Sequence, residues 1–144
     1  MRVSKRYLAP ALLTLVLPLG LASPANASAE RVFAGSCSSG NFCLFENNDF
    51  NNGNTNHWRD ITHNDRDFRG NHWRDGNGWL TDDDMNDETS SVKNRTGGTV
   101  CLYQNPGYTG DRSGFADGAD DGYLANNDIE DNSASAAEFA RCRD

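Results

Sequence analysis

Phe42-Cys43-Leu44-Phe45-Glu46-Asn47, followed by Phe50, returns 58 residues later as Val100-Cys101-Leu102-Tyr103-Gln104-Asn105, followed by Tyr108. Each copy reads as a half-buried strand that runs into turn chemistry, Asn47-Asn48-Asp49 in one and Asn105-Pro106-Gly107 in the other. Aromatics five apart bracket each turn. A residue able to take positive φ comes just after, Asn52-Gly53 in the first copy and Gly110 in the second. A hairpin folded back so that its two rings stack over its own turn is therefore expected twice.

A second phrase closes each half. Asn86-Asp87-Glu88-Thr89-Ser90-Ser91-Val92 recurs more loosely as Asp131-Asn132-Ser133-Ala134-Ser135-Ala136-Ala137, at an offset of 45, so the first half carries 13 extra residues. Two strand-rich units with frequent turn signals predict an all-β, antiparallel double Greek key. The first key is expected at about residues 35–95, with an insertion around 51–80, and the second at about 96–144. Ser133 to Arg141 reads equally well as a helix or as a paired strand.

Aromatic-x4-aromatic-x-Gly in a hairpin, followed by [Asn/Asp]-[Asn/Asp]-x-x-[Ser/Thr]-Ser, resembles the βγ-crystallin Greek key and its calcium loop. Tyr103, Tyr108 and Gly110 match in full, whereas the first copy has Asn52 where glycine is expected and the second loop has Ala136 in place of serine. Gly35-Ser36-Cys37-Ser38-Ser39-Gly40-Asn41-Phe42-Cys43-Leu44 also resembles the secreted actinobacterial peptidase-inhibitor family typified by the streptomycete metalloproteinase inhibitor, which uses the same sandwich. The resemblance implies two calcium sites. Site one would use the Glu46 and Glu88 carbonyls, the Ser90 hydroxyl and the Asn132 side chain; site two would use the Gln104 and Ser133 carbonyls, the Ser135 hydroxyl and the Asp87 side chain. Calcium takes six to eight hard oxygen ligands, and these loops offer mostly oxygen. With neutral Asn132, site one is expected to be the weaker on charge count. The competing reading is of Asx and Ser turns that satisfy their own backbone.

The 144 residues carry 13 Lys+Arg against 21 Asp+Glu, a formal net charge of −8, with only 36% hydrophobic residues. An acidic surplus offers no electrostatic footprint for nucleic acid. Arg2, Lys5 and Arg6 precede an apolar run from Leu8 to Ala22 and small residues through Ala29, so residues 1–29 read as a secretory signal peptide; the run is too short and too broken by Pro10 and Pro18 for a membrane span. Cleavage there removes three positive charges and leaves the mature chain near −11. In an oxidising compartment Cys37, Cys43, Cys101 and Cys142 are expected to form disulfides, for which three pairings exist. A local Cys37–Cys43 staple would leave Cys101 with Cys142, for about 2 and about 4 kcal/mol of loop-closure stabilisation. No Cys-x-x-Cys or Cys-x-x-His spacing supports zinc.

The insertion is compositionally unlike the rest. Asn56-His57-Trp58-Arg59-Asp60 recurs as Asn71-His72-Trp73-Arg74-Asp75, and the segment holds all three histidines and all three tryptophans. His57, Trp58, Arg59, His72, Trp73, Arg74 and Trp79 are candidate partner contacts, because such rings and guanidinium groups supply binding hot spots. The alternative is a local duplication whose tryptophans form a minor core while Arg and Asp pair at the surface. His57, His63 and His72 are also a candidate metal group. No Gly-x-Ser-x-Gly elbow, His-Glu-x-x-His helix or phosphate-binding glycine loop occurs, so a non-enzyme is expected. The resemblance points to a secreted, monomeric peptidase inhibitor whose partner is a secreted peptidase. The alternative is a non-inhibitory calcium-binding module that contacts cell wall or carbohydrate, and a membrane-active toxin is disfavoured by the acidic chain.

Overall fold

The two copies of the opening phrase form β1 (Phe42–Phe45) and β6 (Val100–Asn105) in a computed structural model that describes residues 35–142. The expected signal peptide lies outside the described residues. Around these strands fold β2 (Trp58–Ile61), β3 (His72–Arg74), β4 (Leu80–Asp84), β5 (Ser91–Asn94), β7 (Thr109–Phe115), β8 (Asp120–Asp121) and β9 (Ala136–Phe139). One sheet runs β4-β3-β2-β1-β5-β8 and the other β7-β6-β9, with every pairing antiparallel. Each opening strand therefore lies between its own hairpin partner and the strand that follows its Asn/Asp-Ser loop.

Exchange between the halves makes the Greek keys. β8, from the second half, joins β5 in the first sheet with Val92 opposite Asp121, and the first half returns a single bridge, Asp65 opposite Ala137 on β9. These equivalent bridges also locate the surplus. Asp65 to Asp87 spans 22 residues, while the matching step from Asp121 to Asn132 spans 11, so most of the extra chain follows Asp65. It is ordered as β3 and β4, which extend the first sheet beyond β2. The segment is thus strand hairpin rather than irregular loop, and it continues past Leu80 to Asp84. At the other end of the chain, Ser133 to Arg141 resolves in favour of the strand, as β9.

Apolar residues from both sheets meet between them: Phe42, Leu44, Ile61, Trp73 and Val92 from one, Val100, Leu102, Phe115 and Ala137 from the other, with Phe68, Met85, Leu124, Ile129 and Ala134 from the connections completing the cluster. Burial of each large side chain stabilises the fold by about 1.5–3 kcal/mol relative to exposure. The expected half-burial of β1 is exceeded, since all four of its residues are buried. The outer face is covered as well. Cys43 is bridged to Cys37, and the Phe45 ring meets Phe50 edge-on with centroids 5.8 Å apart. On β6, 58 residues later, Cys101 is bridged to Cys142, and Tyr103 meets Tyr108 at 5.7 Å. The ring pairs are edge-on or tilted rather than stacked, the arrangement aromatic quadrupoles favour. A cation covers each outer ring, Lys93 Nζ 4.0 Å from the Phe50 centroid and Arg66 Cζ 6.0 Å from that of Tyr108.

The first hairpin turns through five consecutive left-handed residues, Asp49 to Gly53, including Asn52 at φ 39° where its counterpart is Gly110 at φ 80°. Left-handed backbone costs a non-glycine residue about 1–2 kcal/mol, with Asn and Asp the most tolerant. The buried Asn51 side chain offsets that cost. Its Oδ1 accepts from the Asn47 N–H at 2.9 Å, and its Nδ2 donates to the carbonyls of Asn56 at 2.7 Å and His57 at 3.0 Å. Asn51→Ala is expected to lower unfolding free energy by about 2–3 kcal/mol, since it removes three side-chain hydrogen bonds that hold the turn. Asn51→Gly, which keeps the φ, should lose nearly as much. Urea denaturation of both reads this, and a glycine variant as stable as the parent would show that conformation rather than the hydrogen bonds matters.

Candidate functional site

The loops that lead into β5 and β9 lie side by side and hold each other. The Asp87 N–H donates to the Ala134 carbonyl at 3.0 Å, and the Asn132 N–H donates to the Thr89 carbonyl at 3.2 Å, a reciprocal pair of residues 45 apart. Asp87 at φ 60° and Asn132 at φ 52° share the left-handed conformation that lets both loops turn alike. Ser90 and Ser135 donate their N–H groups to Phe45 and Tyr103, each at 2.9 Å, which docks each loop on its own half's opening strand. Their hydroxyls cross over to the other loop. Ser90 Oγ lies 3.1 Å from Asn132 Oδ1, and Ser135 Oγ lies 2.7 Å from Asp87 Oδ1.

In each crossing, the hydroxyl and the side-chain oxygen named for one calcium site from the sequence are adjacent. Glu46, Glu88, Ser90 and Asn132 also line one open depression of about 470 Å³. Asp87 and Asp131 line it too, adding negative charge that a count of the four ligands alone leaves out. The site-two residues Gln104 and Ser133 are both half-buried, and the Ser133 hydroxyl donates to the Asp131 carbonyl at 3.1 Å. Asn86 Oδ1 and Asp131 Oδ1, at equivalent positions of the two loops, are buried acceptors with no donor among the described residues, and the Thr89 hydroxyl is likewise without a partner there. Unpaired buried acceptors are unfavourable by about 1–3 kcal/mol each. The residues named for the two sites offer oxygen donors alone, and Asp131 adds an unpaired acceptor beside the depression, a chemistry that fits a hard divalent cation such as calcium.

The duplicated phrase forms adjacent strands. Its two copies pair antiparallel with Trp58 opposite Arg74, one residue out of step with Trp opposite Trp. Residues opposite each other share a face, so the two tryptophans point to opposite sides of the sheet. Trp73 is fully buried in the main core and donates Nε1 to Glu88 Oε2 at 2.9 Å. That burial removes it from the candidate partner contacts. Trp58 stays half-buried on the outer face, its ring 6.0 Å from the Arg74 guanidinium, and Arg74 approaches Asp60 at 3.8 Å. Arg59 donates to the His72 carbonyl at 3.0 Å, and its pKa is lowered, first by burial and then by the nearby Arg74 charge. The three histidines do not converge: His63 Nδ1 lies against Thr62, while His57 meets two carboxylates, Glu46 and Asp83.

Trp79 and Leu80 stand out at the turn between β3 and β4, 75% and 58% exposed. The turn beneath them is closely tied. Asp75 Oδ1 accepts from the N–H groups of Asn77 and Trp79, both at 2.9 Å; the Asp75 N–H donates to the Trp79 carbonyl at 2.8 Å; Arg74 holds the Gly78 carbonyl at 2.6 Å. These bonds, Trp79's first, keep the Asp75 carboxyl below the usual carboxylate range. Gly78 takes φ 83°, and a Cβ at Gly76 would run into Thr55. Leu80 was missed in the sequence reading, although Asp75-Gly76-Asn77-Gly78 between two strand-like runs is a hairpin signal.

The model of peptidase inhibitor family I36 matches residues 33–116. Among solved structures the chain is similar to one described as "Evolution of the eye lens beta-gamma-crystallin domain fold", at 18% identity over 76% of this chain and 93% of that one, TM-score 0.56. A βγ-crystallin from Ciona intestinalis is 18% identical over 69% and 99%, TM-score 0.52, and one from an archaeon is 20% identical over 71% and 99%, TM-score 0.51. At such identities the likeness speaks to fold alone: the sandwich is of βγ-crystallin type. No curated protein matches the chain.

Proposed function

The chain belongs to peptidase inhibitor family I36, a non-enzymatic family, and from that membership we propose that it is a secreted peptidase inhibitor that enters its target's cleft with the β3–β4 turn. The observation that carries the choice of turn is the exposed Trp79-Leu80 pair on a backbone already fixed by hydrogen bonds. Aromatic anchors on a preorganised loop bind well because little conformational freedom is lost on docking. His72 and Arg74 on β3, with Trp58 and Arg59 on the neighbouring β2 and His57 directly before it, act mainly as support for this turn. The two disulfides fit an extracellular protein.

Calcium stiffens the scaffold in this reading. Site one is held by the carbonyls of Glu46 and Glu88, Ser90 Oγ and Asn132, and site two by the carbonyls of Gln104 and Ser133, Ser135 Oγ and Asp87. Bound calcium supplies positive charge to the carboxylate-lined loops and a shared tie between the two Greek keys. Calorimetric titration should show saturable calcium binding that Asp87→Ala weakens.

Assay of the mature protein against a panel of secreted metallo- and serine peptidases, with and without calcium, tests the reading. Inhibition of at least one peptidase is expected, and Trp79→Ala/Leu80→Ala should weaken it about thirty-fold or more, as loss of a hot spot does. Undiminished inhibition by that double variant would place the contact elsewhere. No inhibition at micromolar protein would favour a non-inhibitory calcium-binding interaction module.

A further inference from the structure

We infer that the side chains of Glu46, His57 and Asp83 form a binding site for a divalent transition ion of the zinc class, away from the inhibitory turn and sharing with calcium site one only Glu46, whose carbonyl rather than carboxylate is the calcium ligand there. Three elements supply the three side chains: Glu46 directly follows β1, His57 directly precedes β2, and Asp83 lies on the inserted β4. His57 Nδ1 is 2.7 Å from Glu46 Oε2 and 3.6 Å from Asp83 Oδ2, and one donor atom from each residue falls within 4.8 Å of the others. Among the described residues this is the one group of three such side chains that converges.

The spacing suits a small ion. Zinc bound tetrahedrally at about 2.0–2.2 Å sets its ligand atoms about 3.4 Å apart, so the His57–Asp83 distance already fits, the flexible Glu46 side chain would retreat from His57 by about 0.7 Å, and the Glu46 and Asp83 oxygens start within 4.8 Å of each other. The imidazole is held ready. The His57 N–H donates to the Arg74 carbonyl at 2.7 Å, while its carbonyl accepts from the Glu46 N–H at 3.1 Å and from Asn51 Nδ2 at 3.0 Å. These bonds fix the backbone from which the ring projects, and the ring already places Nδ1 against both carboxylates. Side-chain exposures of 28% for His57, 29% for Glu46 and 44% for Asp83 leave one side open, where a water completes the coordination. An imidazole nitrogen among two carboxylates selects zinc, cobalt or nickel over calcium, which takes oxygen alone. The ion would tie the inserted hairpin to the first Greek key through Asp83.

Titration of the calcium-saturated protein with zinc and with cobalt(II) tests the site. One equivalent of each per chain is expected, with the intense visible bands of tetrahedral cobalt(II), and Asp83→Asn should weaken binding at least ten-fold while His57→Ala abolishes it. His63→Ala is expected to bind as the parent does. Asp83 is the most exposed of the three, so its amide variant reads the site even where replacement of His57 disturbs the fold. Absence of zinc binding at micromolar concentration, binding unchanged in both variants, or displacement of zinc by equimolar calcium would overturn the site and leave His57 as an ion-pair partner only. Because zinc is read by stoichiometry and absorption rather than by inhibition, a failed peptidase assay does not bear on this result.

Discussion

Trp73→Ala is expected to destabilise the protein by about 3–5 kcal/mol, the range for deletion of a buried large aromatic, while Trp58→Ala, the same change in the other copy of the phrase, is expected to lose about 1 kcal/mol. The two residues have identical neighbours in sequence. Their fates differ because Trp58 lies opposite Arg74, so the antiparallel copies are one residue out of step and a one-residue step reverses the face. Trp73 then fills the space between the sheets with zero exposure, and its loss also strands the Glu88 carboxylate that its Nε1 pairs. Trp58 keeps a half-exposed ring against Arg74 and one bond from Nε1 to the Asp75 carbonyl, at 3.1 Å. Guanidinium denaturation followed by circular dichroism measures both. Equal losses would mean that the pairing register is not the one that separates them.

That register also marks where the sequence stops being legible. The strand-and-turn character of the opening phrase and the recurrence of the Asn/Asp-Ser loops are legible because their information is local: alternation along a strand, Asn and Gly at turns, a hydroxyl at a fixed distance from an amide. The reciprocal contacts between the loops follow from the same repeat, since residues 45 apart that adopt the same conformation meet about a shared axis. What lies between Asn51 and Asp84 depends on which strand edge the extra chain joins. A duplicated phrase holding histidine, tryptophan and arginine reads equally as a binding loop or as two strands, and only the exposed edge of β2 decides in favour of strands. Clusters built across elements are hidden for the same reason. Nothing in the local surroundings of Asp83 ties it to Glu46 and His57, and nothing around Asn51 shows that its amide closes a run of left-handed residues. The thin aliphatic content reads differently once β1 and β6 are seen to be covered on both faces, with a disulfide and a ring pair substituting for a second apolar layer.

Removal of that covering bridge from the second half should be as severe as the loss of Trp73. Cys101→Ala/Cys142→Ala is expected to reduce stability by about 4 kcal/mol and Cys37→Ala/Cys43→Ala by about 2 kcal/mol on the chain-entropy account, in which the unfolded state gains more freedom when the longer loop is released. The separations are 41 and 6 residues. Local structure acts in the same direction. Cys101 lies on the middle strand of a three-stranded sheet, and the bridge pins to it Cys142, three residues beyond β9, an edge strand of four residues. Gly114, opposite Cys101 on β7, leaves the room the bridge occupies, for a Cβ there would come within 2.9 Å of Cys142 Sγ. The first bridge instead closes a short arm on β1, a strand held on both sides in a six-stranded sheet, so its loss frees less. Urea denaturation of the two double variants under matched calcium separates these contributions. If the Cys37/Cys43 variant proved the less stable, neither loop length nor sheet position would govern the effect, and the cover that each bridge gives its strand would have to be the larger cause.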